Sequence, residues 1–103
     1  MAEVVWSPRA YADIEAIGDY YAQTAPGYAE VLVRRLSDVA ERLEAFPTSG
    51  RTVPEIGDES LRELIHRNYR VVYIYLPDDD RIEILTVFHS SRQFGALPGE
   101  SSE

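Results

Sequence analysis

The apolar positions of this chain change rhythm twice. Glu3-Val4-Val5-Trp6 is a short extended run, and Ser7-Pro8 after it has the chemistry of a helix start. A serine side chain can cap the first free amide groups, and proline at the first helical position loses no hydrogen bond there. The spacing predicts a helix from Pro8 to about Gln23, because Ala10, Ile14, Ile17 and Tyr21 share one face while Asp13, Asp19 and Gln23 lie elsewhere. Thr24-Ala25-Pro26-Gly27 breaks that pattern. A second helix is predicted from near Gly27, with Leu32, Leu36, Val39, Leu43 and Phe46 as its stripe, ending at Pro47-Thr48-Ser49-Gly50. So short a connection favours an antiparallel helical hairpin.

From Leu61 the helical period is lost. Leu61–His66, Tyr69–Leu76 and Arg81–Phe88 are rich in β-branched and aromatic residues and are separated by Arg67-Asn68 and Pro77-Asp78-Asp79-Asp80, which predicts a three-stranded antiparallel meander. The expected fold class is therefore α+β, in the order β-α-α-β-β-β. Residues 1–95 are expected to form one domain and residues 96–103, small, polar and aperiodic, a flexible tail.

Alternation within the meander bears on function. Val72, Ile74 and Leu76 point to one face of the central strand, with Val71, Tyr73 and Tyr75 on the other, and in the last strand Leu85 and Val87 oppose Ile84, Thr86 and Phe88. Both faces are apolar, whereas a helical hairpin covers one. The uncovered face predicts a protein partner, unless the loop from Pro47 to Ser60 or the tail folds over it.

Composition narrows the function classes. Acids outnumber bases by 18 to 10, giving a net charge of -8, so strong direct binding to nucleic acid through the overall field is not expected. All ten bases are arginine. There is no cysteine, and the two histidines stand far apart, so neither a structural zinc site nor a cofactor is expected. With neither a basic leader nor an apolar run of membrane-spanning length, a cytoplasmic location is the expectation. Asp78-Asp79-Asp80 reads as a solvated hairpin turn.

Gly50 to Arg92 holds the candidate chemistry: Gly50-Arg51, Pro54-Glu55, Leu61-Arg62-Glu63, Tyr69-Arg70, Tyr73, His89 and Arg92. Cleaving RNA through its 2′-hydroxyl needs a base, an acid and cations for the developing phosphorane charge. His89 could act as acid or base, with Arg51, Arg70 and Arg92 on phosphate and Glu55 or Glu63 as a second titrating group. Each has an architectural alternative. Arg70 alternates with Val72, Ile74 and Leu76, which suits a partly buried pair with Glu55 or Glu63, and His89 suits a hydrogen-bonded position at the core's edge. Arg62 and Glu63, being adjacent on a strand, point to opposite faces.

The order Val-Trp-Ser-Pro, Gly-Arg with Pro-Glu, Leu-Arg-Glu, Tyr-Arg-Val-Val-Tyr and Val-Phe-His-Ser-Ser-Arg resembles the RelE/ParE toxins of type II toxin–antitoxin systems, over about residues 3 to 93. The later elements are most similar to the ParE branch. That resemblance implies a protein neutralised by a cognate antitoxin and, on the ParE branch, one that inhibits DNA gyrase by binding, with no catalytic residues. Arg62, Arg70, His89, Arg92 and Phe94 are then the expected target-binding set, and Val71, Tyr73 and Tyr75 with Tyr20 and Tyr21 the expected antitoxin-binding set. A RelE-like member would instead cleave messenger RNA on the ribosome, using Arg51, Arg70, His89 and Arg92. A degenerate member would bind only its antitoxin. Between residues 51 and 93 six arginines face eight acids, which disfavours entry into a ribosome.

Overall fold

Ser7 joins the first helix to the sheet. In the computed structural model, which describes residues 1–91, its Oγ accepts from the Ala10 amide at 3.0 Å and donates to the Leu85 carbonyl at 3.0 Å, with Pro8 following as the first helical residue. The cap thus satisfies a free helix-end amide and ties the turn to the last strand. The elements run β1 (Glu3–Trp6), α1 (Pro8–Ala22), α2 (Pro26–Glu41), a 3-10 turn (Arg42–Glu44), β2 (Arg51–Thr52), β3 (Leu61–His66), β4 (Tyr69–Leu76), a 3-10 turn (Pro77–Asp79) and β5 (Arg81–His89). The expected α+β order holds, with β2 as an addition. Residues 96–103, expected as a tail, lie outside the described residues.

Among the described residues all strands join one five-stranded sheet in the order β1-β5-β4-β3-β2. The pairs β2/β3, β3/β4 and β4/β5 are antiparallel, as the meander predicts, and β1 runs parallel to β5 with Glu3 beside Arg81 and Trp6 beside Ile84. The helical hairpin lies on one face. Ala10 from α1 and Leu32, Leu36, Ala40 and Leu43 from the second helical segment pack on Val71, Tyr73, Ile82, Ile84 and Val87, while Ile14, Ile17 and Tyr21 complete the contact. Where the helices cross, a Cβ on Gly18 would stand 3.1 Å from Val33 Cγ2, so the small residue permits a close approach.

Three expectations are corrected. The second helix stops before Phe46, which is 63% exposed, because the chain tightens into the 3-10 turn and leaves the core after Leu43. Strict alternation fails in β5: Val72 pairs with Thr86 and Tyr73 with Ile84, leaving Leu85 as an extra residue. That bulge puts Ile84 and Val87 together on the helix side. The second apolar face is partly closed by the chain itself, since Val53 and Val72 are fully buried against each other with Leu61 and Phe88 around them. Of the two readings of that face, the one in which the loop from Pro47 to Ser60 covers it holds at this point.

Beyond Trp6 the outer edge of β5 is continued by a side chain. Asp13 Oδ2 accepts from the Val87 amide at 3.0 Å and also from the Thr86 hydroxyl. A carboxylate here occupies the place a strand would take.

Candidate functional site

The strand register collects four charged residues on the face opposite the helices. Arg51 lies beside Glu63 on β2 and β3, Arg70 on β4 lies beside Ile65 and Phe88, and Glu55 comes from the loop after β2. Glu63 is 1% exposed and is gripped from both sides: Arg51 Nε donates to its Oε2 at 2.7 Å and Arg70 Nε to its Oε1 at 2.6 Å. The two terminal nitrogens of Arg70 then donate to the two oxygens of Glu55 at 2.8 and 2.9 Å. Such a fork-to-fork pair is the geometry that arginine alone supplies. Arg70 also lies 5.4 Å over the Phe88 ring.

This alternating chain fixes protonation states. Its hydrogen bond to Arg70, opposed in part by burial, holds the Glu55 carboxyl down to about 2 from an ordinary 4.5, and the same pairing, first with Glu55 and then with Glu63, pushes Arg70 further above the range where it titrates. A carboxylate so acidic is a poor general base at neutral pH. A pH dependence follows. The pKa of Glu55 is lower folded than unfolded, so its contribution to stability is present in full above 4.5 and is lost as pH falls towards 2. Urea midpoints across that range are expected to fall more steeply for the native chain than for Glu55→Gln. The side chain of Glu55 is 45% exposed, so solvent screens the pair and the difference stays below what the shift alone implies.

Arg62 takes the other face, as its neighbour's placement requires. Its Nη1 donates to the Gly50 carbonyl at 2.9 Å, while the Gly50 amide donates to the Tyr73 hydroxyl at 3.0 Å and that hydroxyl donates to the Pro47 carbonyl at 2.9 Å. Burial pushes the Tyr73 phenol up. These bonds lock the chain between α2 and β2.

His89, at the end of β5, opens into a groove of about 500 Å³ between α1 and the sheet, lined among others by Asp13, Tyr20, Tyr21 and Tyr69. Its ring meets Tyr69 edge-on with centroids 5.3 Å apart. Nδ1 accepts from the Ser91 amide at 3.1 Å and lies 2.8 Å from the Ser91 hydroxyl. The Tyr69 hydroxyl bonds to that of Tyr21 at 3.3 Å, and Tyr21 stacks edge-on with both Tyr20 and Tyr28. Burial, then Tyr21, pushes the Tyr69 phenol up.

The expected site residues therefore separate. Arg51 and Arg70 lie with Glu55 and Glu63 on one face, whereas Arg62 and His89 belong to the other. Arg92 and Phe94 fall outside the described residues. Val71 and Tyr73, expected on an antitoxin-binding surface, are fully buried beneath the helices, and Tyr75 packs at the margin of the same core. That correction has a simple cause: the hairpin covers their face of β4 and not the face of Val72. Tyr20, 72% exposed, and Tyr21 do reach the surface at the end of α1, joined by Tyr28 across the hairpin turn, a neighbour the separation along the chain conceals. Asp13 was also missed, because an acid off the apolar stripe reads as solvated.

A strand, a helical hairpin and a five-stranded mixed sheet make up a small RelE/ParE-type toxin fold. Among solved structures, the chromosomal ParDE system from P. aeruginosa matches at a TM-score of 0.72 and 23% identity, covering 86% of this chain and 96% of that one. The RelBE2 toxin–antitoxin complex from Mycobacterium tuberculosis matches at a TM-score of 0.54 and 17% identity, covering 85% and 96%. The chain belongs to the ParE toxin family of type II toxin–antitoxin systems, whose family model matches residues 4–94. Toxin RelE2 of Caulobacter vibrioides is 36% identical over 92 residues, covering 89% of this chain and 99% of that protein. Putative toxin Y4kP of Sinorhizobium fredii is 32% identical over 89 residues, covering 86% and 88%.

Proposed function

We propose that this protein is a toxin that arrests growth by binding DNA gyrase, without chemical turnover of its own, and that a cognate antitoxin neutralises it. The observation that carries the reading is the separation of the groups that RNA cleavage would need together. Arg51 and Arg70 are engaged with Glu63 and Glu55 on one face, while His89 stands on the other beside Tyr69. A base, an acid and a phosphate-binding cation must converge within hydrogen-bond reach of one reacting centre. Family membership and the ParDE neighbour support an antitoxin partner, and the cytoplasm, where gyrase acts, is the location that goes with this target.

The test is a supercoiling assay with purified gyrase. Loss of supercoiling is expected as toxin is raised, with activity restored when the antitoxin encoded beside it is added. Unaffected supercoiling at saturating toxin removes this reading.

A second reading, the ribosome-dependent endonuclease, draws support from one feature: the groove beside His89 is open and carries Asp13 and three tyrosines. Transcript cleavage in a translating extract, abolished by His89→Ala, is the result that would put it first.

A further inference from the structure

An aspartate in the middle of a helix contributes little to that helix, because its carboxylate competes for backbone amides in other conformations. Asp13 holds such a place in α1, with only 19% of its side chain exposed. Its role is tertiary. The outer edge of β5 is covered in stages: β1 pairs with Arg81 to Ile84, the Ser7 hydroxyl donates to the Leu85 carbonyl, and Asp13 Oδ2 then accepts from the Val87 amide at 3.0 Å and from the Thr86 hydroxyl. Oδ1 accepts from Arg9 Nε at 3.1 Å, so both oxygens of the carboxylate are engaged.

The clamp stands just past the bulge, where β5 has shifted register against β4. Among the described residues, every hydrogen bond between α1 and β5 ends on Asp13. Bonds to a charged acceptor are stronger than those between neutral groups, and Thr86, 2% exposed, has no solvent to replace its partner. Two residues beyond Val87 lies His89. The groove between α1 and the sheet has Asp13, Tyr20 and Tyr21 on its helical wall and Tyr69 and His89 on the other, so the carboxylate that ties β5 to α1 also sets the width of the groove.

We propose that Asp13 is a positioning residue for target recognition: standing in for a strand on the edge of β5, it fixes His89 relative to the tyrosines of α1. The target then meets a surface already in its binding shape. This rests on the gyrase reading, in which His89 belongs to the target-binding set. A surface held in advance loses less conformational freedom on binding than one that must be ordered by its partner. Without the carboxylate, the Val87 amide and the Thr86 hydroxyl lose their acceptor, and the end of β5 is placed from the β4 side alone, through the pairs Val87 with Val71 and His89 with Tyr69.

The experiment compares the full-length native chain with Asp13→Ala, Asp13→Asn, Thr86→Val and Leu43→Ala, each at a temperature where circular dichroism shows it folded. It reads the toxin concentration that halves supercoiling by purified gyrase, hydrogen exchange at the Val87 amide, and the ring-proton resonances of His89, which sense the edge-on Tyr69 ring. Asp13→Ala is expected to need about 10-fold more toxin, to exchange Val87 about 10-fold faster or more, and to shift the His89 resonances. Asp13→Asn, whose amide oxygen can accept from Val87 while its nitrogen donates to Thr86, recovers most of the inhibition. Thr86→Val removes one donor and gives a smaller change of the same sign, which keeps the test open should Asp13→Ala fail to fold. Leu43→Ala empties a buried site that does not line the groove, and is expected to lose stability while inhibiting as the native chain does per folded molecule. The proposal is overturned if Asp13→Ala inhibits gyrase like the native chain, if inhibition falls while Val87 and His89 stay as they are, or if Leu43→Ala loses as much. A native chain that leaves supercoiling untouched removes the gyrase reading, and the Val87 and His89 measurements still decide whether Asp13 positions this end of β5.

Discussion

Glu63→Gln is expected to lower stability by about 3–5 kcal/mol, the range found when one partner of a buried ion pair is removed. Glu63 is 1% exposed and accepts from Arg51 and Arg70, so its charge is held entirely by those two donors. An amide in its place turns one of its contacts from acceptor to donor, facing a guanidinium. For a domain of this size that loss corresponds to a melting temperature lower by roughly 15 °C or more. The companion variant separates pairing from burial. Glu63→Leu with Arg70→Met replaces the buried charges by apolar groups beside Val53, Val72, Leu61 and Phe88, and leaves behind only the ends of the chain, Arg51 at 59% and Glu55 at 45% side-chain exposure. Those two can be solvated where they stand. The double variant is therefore expected to recover most of the loss. Thermal and urea unfolding of the three proteins checks it, and a Glu63→Gln protein within about 1 kcal/mol of the parent would show that the carboxylate is not held as described.

Gly50→Ala is the second large effect. A Cβ at this position would stand 2.6 Å from the Glu63 carbonyl oxygen, 2.7 Å from the Tyr73 hydroxyl and 2.8 Å from its Cε1. None of these atoms yields cheaply. The carbonyl belongs to a strand paired on both sides, and the tyrosine hydroxyl is held by Gly50 and Pro47 together. Relief requires moving the chain away from Tyr73, which breaks at least one buried hydrogen bond and unsettles the start of β2. A loss of about 3 kcal/mol is expected from overpacking and the broken bond together. Gly27→Ala provides the contrast, since nothing stands within 4 Å of a Cβ there and the residue lies in the first turn of α2. Stability there is expected to be unchanged or to rise by about 0.5–1 kcal/mol, as removing a glycine restricts the unfolded chain. Denaturation midpoints of the two variants decide the matter, and equal midpoints would refute the account of Gly50.

Much of this architecture is legible in the sequence because local patterns and tertiary burial agree. Ala10, Ile14, Ile17 and Tyr21 form a stripe that does enter the core, and Ser7-Pro8 does start a helix. Arg70 sits among apolar neighbours of one parity, which foretold a partly buried pair, and it joins both of the expected acids. What the sequence hid depends on long-range geometry. Two residues of β2 are too few to show a period. The bulge at Leu85 inverts parity midway along a strand, and no local composition announces it. The larger error concerned Val71 and Tyr73. Both faces of β4 are apolar, so parity alone cannot tell which one the hairpin covers. The separation of Arg62 and His89 from Arg70 was half visible, since adjacent strand positions oppose each other, but the bulge before His89 made counting from Arg81 unreliable.

The pairing of β1 with β5 also constrains how the chain comes into being. Glu3 meets Arg81 and Trp6 meets Ile84, so about three quarters of the chain lies between the partners of one ladder. Ile82, Ile84 and Val87, which fill the space beneath the helices, come from β5, the last strand to be synthesised among the described residues. Contacts of such wide separation are entropically costly to close and form late. A ribosome making this protein therefore carries an incomplete core until β5 has emerged, and a chain cut short before Ile82 keeps Val71 and Tyr73 beneath Leu32 and Leu36 but lacks Ile82, Ile84 and Val87.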